Sequence, residues 1–347
     1  MLSRLERLAR QSVRRLRHGV SERRARSQAS RAIRHVRALR STDPQRKLVG
    51  IFLVEHIGDI VACEPVVGWA RRTHPDACLV WVVKHEFREL LLSHPRLDAV
   101  LGVTSLAAVA PMIRSGVFDE SYDLHVNHKP TGLKNLEHIK HWGEPRIDGS
   151  NYFGYGTILR AFSRGAGISL PGAAPQLHVP DHVVRAVDLL RLPPRFVIVH
   201  TTSNDHTKNW SPAGWRELVD HVCEAFAIHV FEVGLTTTVR SENERFSSLC
   251  GRLSLLETAE VVRRSTFFIG VDSAVAHMAN AWRIPSLLLF GHYKGEGSWT
   301  PYEGFFAEEP DRWIVRHDGP LNEQVAPQVV ERLKAVAYLR LEQLQVR

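Results

Sequence analysis

"FFIGVDSAVAHMANAWRIPSLLLFG", residues 267–291, decides what kind of fold this chain can have. An apolar run stops at Asp272-Ser273. A helically patterned segment follows and ends near Pro285, and a second apolar run begins at Ser286. Strands covered on both faces read as continuous apolar runs, and two of them joined by a helix make a parallel crossover unit. Polar residues where such a strand hands over to its helix sit at the carboxyl end of the sheet, where open parallel sheets bind ligands. Asp272 and Ser273 hold that position. His277, four residues after Ser273, shares its helix face near the end that favours anions.

The same alternation extends outward. "FVIVH" (196–200) and "HVFEVG" (229–234) read as strands around a helix at 212–226, and "SLLETAEVVRRS" (254–265) reads as a helix. Upstream, "KLVGIFLV" (47–54), "CLVWVV" (78–83), "LDAVLGV" (97–103) and "YDLHV" (122–126) read as strands, with helices at 59–73, in "HEFRELLLS" and near 105–115. The Gly/Pro-rich "GAGISLPGAAPQLHVPD" (165–181) interrupts the rhythm as a linker. The expected class is α/β, with two nucleotide-fold units whose parallel sheets face a cleft. The expected divisions are a basic arm at 1–47, a first unit at 48–180, a second at 181–325 and a C-terminal helix at 326–347. Neither unit has G-x-G-x-x-G after its first strand, so an ordinary dinucleotide site is not supported.

Length and composition agree. The chain has 347 residues, enough for two cores, and is 44% hydrophobic and 24% charged. No apolar run is long enough to span a bilayer. The four cysteines form no C-x-x-C pair, so neither a disulfide framework nor a structural zinc site is expected, and a cytoplasmic setting is. Charge is unevenly spread. Residues 1–47 hold fifteen Lys or Arg against Glu6, Glu22 and Asp43, whereas the remainder is mildly acidic. "MLSRLERLARQSVRRLRHGV" is helically patterned, with leucines on one side and Arg on the others. Such a helix suits an anionic membrane surface, and equally suits packing on the body or on another copy. No aromatic residues interleave the Arg, so nucleic acid is not an expected partner.

Two more strand ends carry chemistry-bearing residues. After the first strand come Gly58 and Asp59. A glycine lets a ligand approach the backbone; the aspartate is either a helix cap or a general base for a hydroxyl. After "FVIVH" come Thr201, Thr202 and Ser203, then Lys208 and Trp210, then Ser211-Pro212 as a helix start. A hydroxyl-rich loop with a lysine leading into a helix suggests a phosphate cradle. Its alternative is a solvated loop with Trp210 packed at the surface. His125, His128, His138 and His141, with Lys129, Lys134 and Lys140, suggest an exposed basic loop lining the cleft on the acceptor side, with no metal site expected.

These residues resemble a known family. "IGDIVACEP" (57–65), "TKNWSPAGWRELV" (207–219) and above all "LCGRLSLLETAEVVRRSTFFIGVDSAVAHMANAWRIPSLLLFG" (249–291) are similar to the motifs of the ADP-heptose:lipopolysaccharide heptosyltransferases, glycosyltransferase family nine. The resemblance covers about residues 48–325. It implies a GT-B fold, two Rossmann-like domains with the active site between them, and inverting transfer that needs no metal or cofactor. It implies Asp59 as the base and Lys208 as the donor-phosphate contact. Asp272, Ser273, Ala274 and His277 would form the donor-side block, with Thr201 and Thr202 beside it. Gly58, His128 and Lys129 are expected on the acceptor side. The implied partners are a nucleotide sugar, ADP-heptose, and a lipid-linked glycan acceptor such as the lipopolysaccharide inner core. The implied location is the cytoplasm, at the cytoplasmic face of the inner membrane. Alternatives are another nucleotide sugar serving O-antigen or protein glycosylation, or a non-catalytic nucleotide-binding module. The sequence departs from the family at Cys63-Glu64, where small or hydroxyl residues are usual, and in the basic arm.

Overall fold

The computed structural model describes residues 4–127, 144, 146–170, 172–291, 299–324 and 326–341, with side chains for all of these except 4–22 and 336–341. The first sheet holds β1 (Leu48–Leu53), β2 (Cys78–Lys84), β3 (Ala99–Val103) and β4 (Glu120–Asp123) in the order β3-β2-β1-β4. The second holds β5 (Phe196–His200), β6 (His229–Glu232), β7 (Phe246–Ser248), β8 (Phe267–Val271), β9 (Ser286–Phe290) and β10 (Ile314–Arg316) in the order β10-β9-β8-β5-β6-β7. Every strand pair is parallel. β1, β5, β8 and β9 are buried along their whole length, which is why they read as unbroken apolar runs.

The strand orders matter more than the strands. In the second sheet the chain runs outward from β5 to β7 in one direction and from β8 to β10 in the other. The connections diverge between β5 and β8, and a crevice opens there beyond the carboxyl ends. The register Val199↔Ile269 and His200↔Gly270 ends both strands at nearly one level. In the first sheet the same divergence falls between β1 and β4. All three strand ends singled out from sequence therefore lie at switch points.

The first sheet is covered on one face by the helices Ile57–Cys63, Pro65–Thr73 and Ile158–Gly165, and Leu256, Ala259 and Met278 of the second half join that core. The two halves thus share apolar packing. The stretch read as one helix over 59–73 is two, broken where Glu64 precedes Pro65. Proline lacks the N–H that the continuing helix would need but is at ease at a helix start. Two short helices, Phe305–Glu308 and Pro310–Trp313, and strands β7 and β10 were not expected; each is too short to show a period.

The opposite face of the first sheet is covered by the N-terminal helix, Arg4–Thr42. Ala25, Ala29, Ala32 and Val36 are buried at helical spacing, and their small size lets the helix approach the sheet closely. Arg40 donates to the Val117 carbonyl and pairs with Asp119, beside the amino end of β4. Gln28 bonds both ways with Thr104, just past the carboxyl end of β3. The helix thus runs antiparallel to the strands, and its first twenty or so residues, about 30 Å of helix, extend past the carboxyl-end side of the sheet. Arg23, Arg24, Arg26, Arg31, Arg34 and Arg37 are exposed, and no acidic residue lies between 23 and 42. The arm is thus a covering layer in its second half.

Candidate active site

The helix after β1 starts at Ile57 with His56 at its N-cap position, and the His56 side chain makes no capping bond. Asp59 is three residues further on, and its carboxylate accepts a hydrogen bond from the His56 backbone N–H. This is the returning half of a capping box, so Asp59 supports the helix start without being its cap. The carboxylate keeps some solvent contact, yet burial, reinforced by Glu55, pushes it up to about 7. Lys208 pulls it down and Asp272 pushes it up, so residues from both sheets act on this one group.

Gly58 explains how the halves come so close. A Cβ there would lie 2.9 Å from His277 Cδ2 and 3.8 Å from the Ala274 Cα. Only a residue with no side chain allows this approach. Beside it, Asn204 Nδ2 meets His56 Nδ1 at 3.3 Å across the cleft.

On the second sheet, Ser273 caps the Ala274–Ala281 helix by accepting from Ala276 N–H at 3.4 Å. Ser273, and not Asp272, is therefore the cap. Asp272 Oδ2 takes Lys208 Nζ at 2.5 Å and its Oδ1 takes the Tyr302 hydroxyl at 3.0 Å. Burial alone would raise the Asp272 carboxyl, but Lys208, His277 and these hydrogen bonds hold it below the usual carboxylate range. His277 is buried, and burial pushes it down to about 4 against the pull of Asp272, so it is neutral at pH 7. Its Nδ1 has no hydrogen-bond partner among the described residues, and its ring lies 4.7 Å from that of Tyr302.

The loop after β5 is more divided than its composition suggested. Lys208 reaches the cleft, and Thr202, six residues before it, is half-buried. Thr201 is buried and donates to Glu232 Oε1 at 3.0 Å; Glu232 also accepts from Thr238 N–H at 2.9 Å. Thr201 therefore braces the loop after β6. Trp210 is also structural: its Nε1 donates to the Gln324 carbonyl at 2.8 Å and its ring packs 5.3 Å from Trp215. Ser211 and Pro212 open the Pro212–Ala225 helix as expected. His125 is no cleft residue. It is fully buried, with Nδ1 2.6 Å from Asp123 and Nε2 accepting from Val54 N–H at 2.7 Å. His128 and Lys129, with Lys134, His138, Lys140 and His141, lie outside the described residues.

Glu64 is buried; its Oε1 takes His94 Nε2 at 2.8 Å and its Oε2 the Gln176 N–H at 2.7 Å, which ties the linker to the first unit. With His178 it brings three ligand-type atoms within 4.8 Å. His94 Nδ1 already accepts Arg96 N–H, so the Nε2 proton points at Glu64 and the cluster is knit by hydrogen bonds. Tyr302 was missed from sequence, since it follows an irregular stretch with no strand end to mark it.

Residues 160–304 match the sequence model of glycosyltransferase family 9 (heptosyltransferase). That stretch is less than half of the chain, and over it the chain is similar to glycosyltransferase family 9. Lipopolysaccharide heptosyltransferase 1 of Salmonella typhimurium is 22% identical over 276 residues, covering 68% of this chain and 85% of that protein. Lipopolysaccharide heptosyltransferase 1 of Pseudomonas aeruginosa is 34% identical over 107 residues, which span 28% of this chain and only 29% of that protein. The solved Escherichia coli ADP-heptose lipopolysaccharide heptosyltransferase II superposes with a TM-score of 0.60 at 16% identity, covering 86% of this chain and 99% of that one. That likeness establishes the GT-B architecture of the chain.

Proposed function

We propose that this glycosyltransferase moves a heptose from ADP-heptose to a lipopolysaccharide inner-core or related surface-glycan acceptor, by inverting displacement with Asp59 as general base. The observation that carries the reading is the convergence of Asp59 from one sheet with Lys208 and Asp272 from the other. An acceptor hydroxyl must lose a proton as its oxygen bonds to the anomeric carbon, and a carboxylate titrating near 7 is matched to that task at neutral pH. The bond from the anomeric carbon to the diphosphate breaks, and charge grows on the leaving oxygen. Lys208 and the N-terminal end of the Ala274–Ala281 helix would stabilise it, so the reaction is proposed to need no metal or cofactor. The names of the relatives support the donor and acceptor classes.

Nucleoside diphosphates tested by thermal shift, followed by ADP- and UDP-sugars in a donor-release assay, check the donor. ADP should stabilise the protein most and ADP-heptose should be consumed. Equal response to UDP compounds would defeat the assignment. The profile of kcat/KM against pH should show an acid limb with an apparent midpoint near 7, the free-enzyme value of Asp59. A flat profile from pH 5 to 8 would remove Asp59 from the base role.

The arm belongs to the same proposal. No helix among the described residues is long and apolar enough to cross a membrane. The exposed Arg face and the direction of the N-terminal helix support peripheral docking on the anionic cytoplasmic face of the inner membrane. Replacing Arg23, Arg24 and Arg26 by Gln should weaken binding to anionic vesicles at low salt by about a hundred-fold, at about 1 kcal/mol per basic residue. The buried Ala29 to Val36 stripe is untouched by these changes, so the melting temperature should stay put. Unchanged vesicle binding would discard the docking idea.

A further inference from the structure

The segment 299–303 is built into both halves of the molecule. Toward the first sheet, Trp299 Nε1 donates to the Gly156 carbonyl at 2.8 Å and Ile158 N–H donates to the Pro301 carbonyl at 3.2 Å. The Glu303 carboxylate accepts the Thr157 hydroxyl at 2.8 Å and also the Arg160 guanidinium. Toward the second sheet, Asn280 Nδ2 donates to the Glu303 carbonyl at 2.7 Å, and Asn280 Oδ1 accepts Phe306 N–H at 2.8 Å. Tyr302 sits between these fastenings, fully buried, with its hydroxyl on Asp272 Oδ1. Burial first, then the Asp272 charge, keep the phenol protonated far above neutral pH, so it remains a donor.

We infer that Tyr302 is a positioning residue for Lys208, acting through Asp272, and that the fastening of 299–303 to the first half ties this aim to the closeness of the two sheets. The inference rests on the family 9 reading of the site. A carboxylate held by a donor at each oxygen cannot rotate. Remove the phenol and Oδ1 becomes a buried acceptor with one partner fewer; the carboxylate then turns to find another and draws the lysine with it. Tyr302→Phe makes this change alone, because the ring keeps its packing against His277 and Phe306.

The test is calorimetric ADP binding by the full chain, with thermal unfolding of each variant. Tyr302→Phe should weaken ADP binding about ten-fold, the scale of a lost hydrogen bond to a charged group. In an Asp272→Asn background the same change should cost no further affinity, because the two residues act as one unit. Glu303→Gln, which loosens the fastening and leaves the Tyr302 hydroxyl in place, should weaken ADP about three-fold. Unaltered ADP affinity in Tyr302→Phe, with lowered stability, would reduce Tyr302 to packing. Losses that multiply in the double variant would break the link to Asp272. Unaltered affinity in Glu303→Gln would remove the coupling between the halves. Wild-type protein that binds no nucleoside diphosphate would overturn the family 9 reading of the site together with this inference, so the two failures appear in different proteins.

Discussion

Asp59→Asn should lower turnover by about two to four orders of magnitude while making the protein more stable above pH 7. The first effect follows from removing the proposed base. The second follows from where the carboxyl titrates. Burial raises it from about 4 to about 7 in the folded chain, so the folded protein keeps a proton that the unfolded chain has released. Stability therefore falls as pH rises through that window, and the penalty is complete above it. Three pH units correspond to about 4 kcal/mol; with water at one side of the carboxylate, about 1–2 kcal/mol is the expected gain from the neutral amide. Melting temperatures of both proteins at pH 5 and pH 8 test this: the advantage of Asn should appear at pH 8 and shrink at pH 5. Equal melting curves at both would mean that Asp59 is not buried against its charge. Donor affinity should survive if Asp59 serves the acceptor side as proposed.

Lys208→Ala should be the more damaging change, because it strikes fold and function together. Lys208 and Asp272 are mostly buried, and removing one partner of such a pair leaves an uncompensated charge at a cost of about 3–5 kcal/mol. Turnover should fall by about two to three orders of magnitude with the loss of the cation proposed to stabilise the leaving group. The sign of the pH dependence is diagnostic. In the wild type, Asp272 is held below its usual range, mainly by Lys208 working against burial. Without the lysine, burial prevails and the variant should lose stability as pH rises from about 4 upward, where the aspartate is forced to ionise. Adding Asp272→Asn should restore much of the stability and none of the turnover. A single variant with wild-type melting behaviour would show that the pair contributes little in the folded state.

Much of this site was legible because strand ends are legible. Continuous apolar runs located β1, β5 and β8, and the polar residues just after each run supplied Asp59, Lys208 and the Asp272 to His277 block. What the residues alone do not encode is which strand lies beside which. The switch points depend on strand order, and strand order is a property of the whole sheet. Side-chain direction was equally hidden. Thr201 and Trp210 look like ligand contacts in a polar loop, yet one turns inward to Glu232 and the other into the core beside Trp215. His125 reads as one of a run of cleft histidines and is instead the buried partner of Asp123. Tyr302 reaches Asp272 across thirty residues of chain, a separation that no local pattern spans. Cys63-Glu64, the departure from the family pattern, resolves into a break between two helices and a carboxylate that anchors the linker.

The division of labour between the sheets has a consequence for how donor is kept from waste. The residue proposed to accept the proton belongs to one half, and the cation proposed to hold the diphosphate belongs to the other. Drawn apart, the halves would hold a charged donor in one place and a base in another, with neither able to act. Stray water meeting the sugar would then find no group ready to take its proton. The enzyme would be a two-key lock, turning only when the acceptor side has closed on the donor side, and its idle state would be protected against spending donor on solvent.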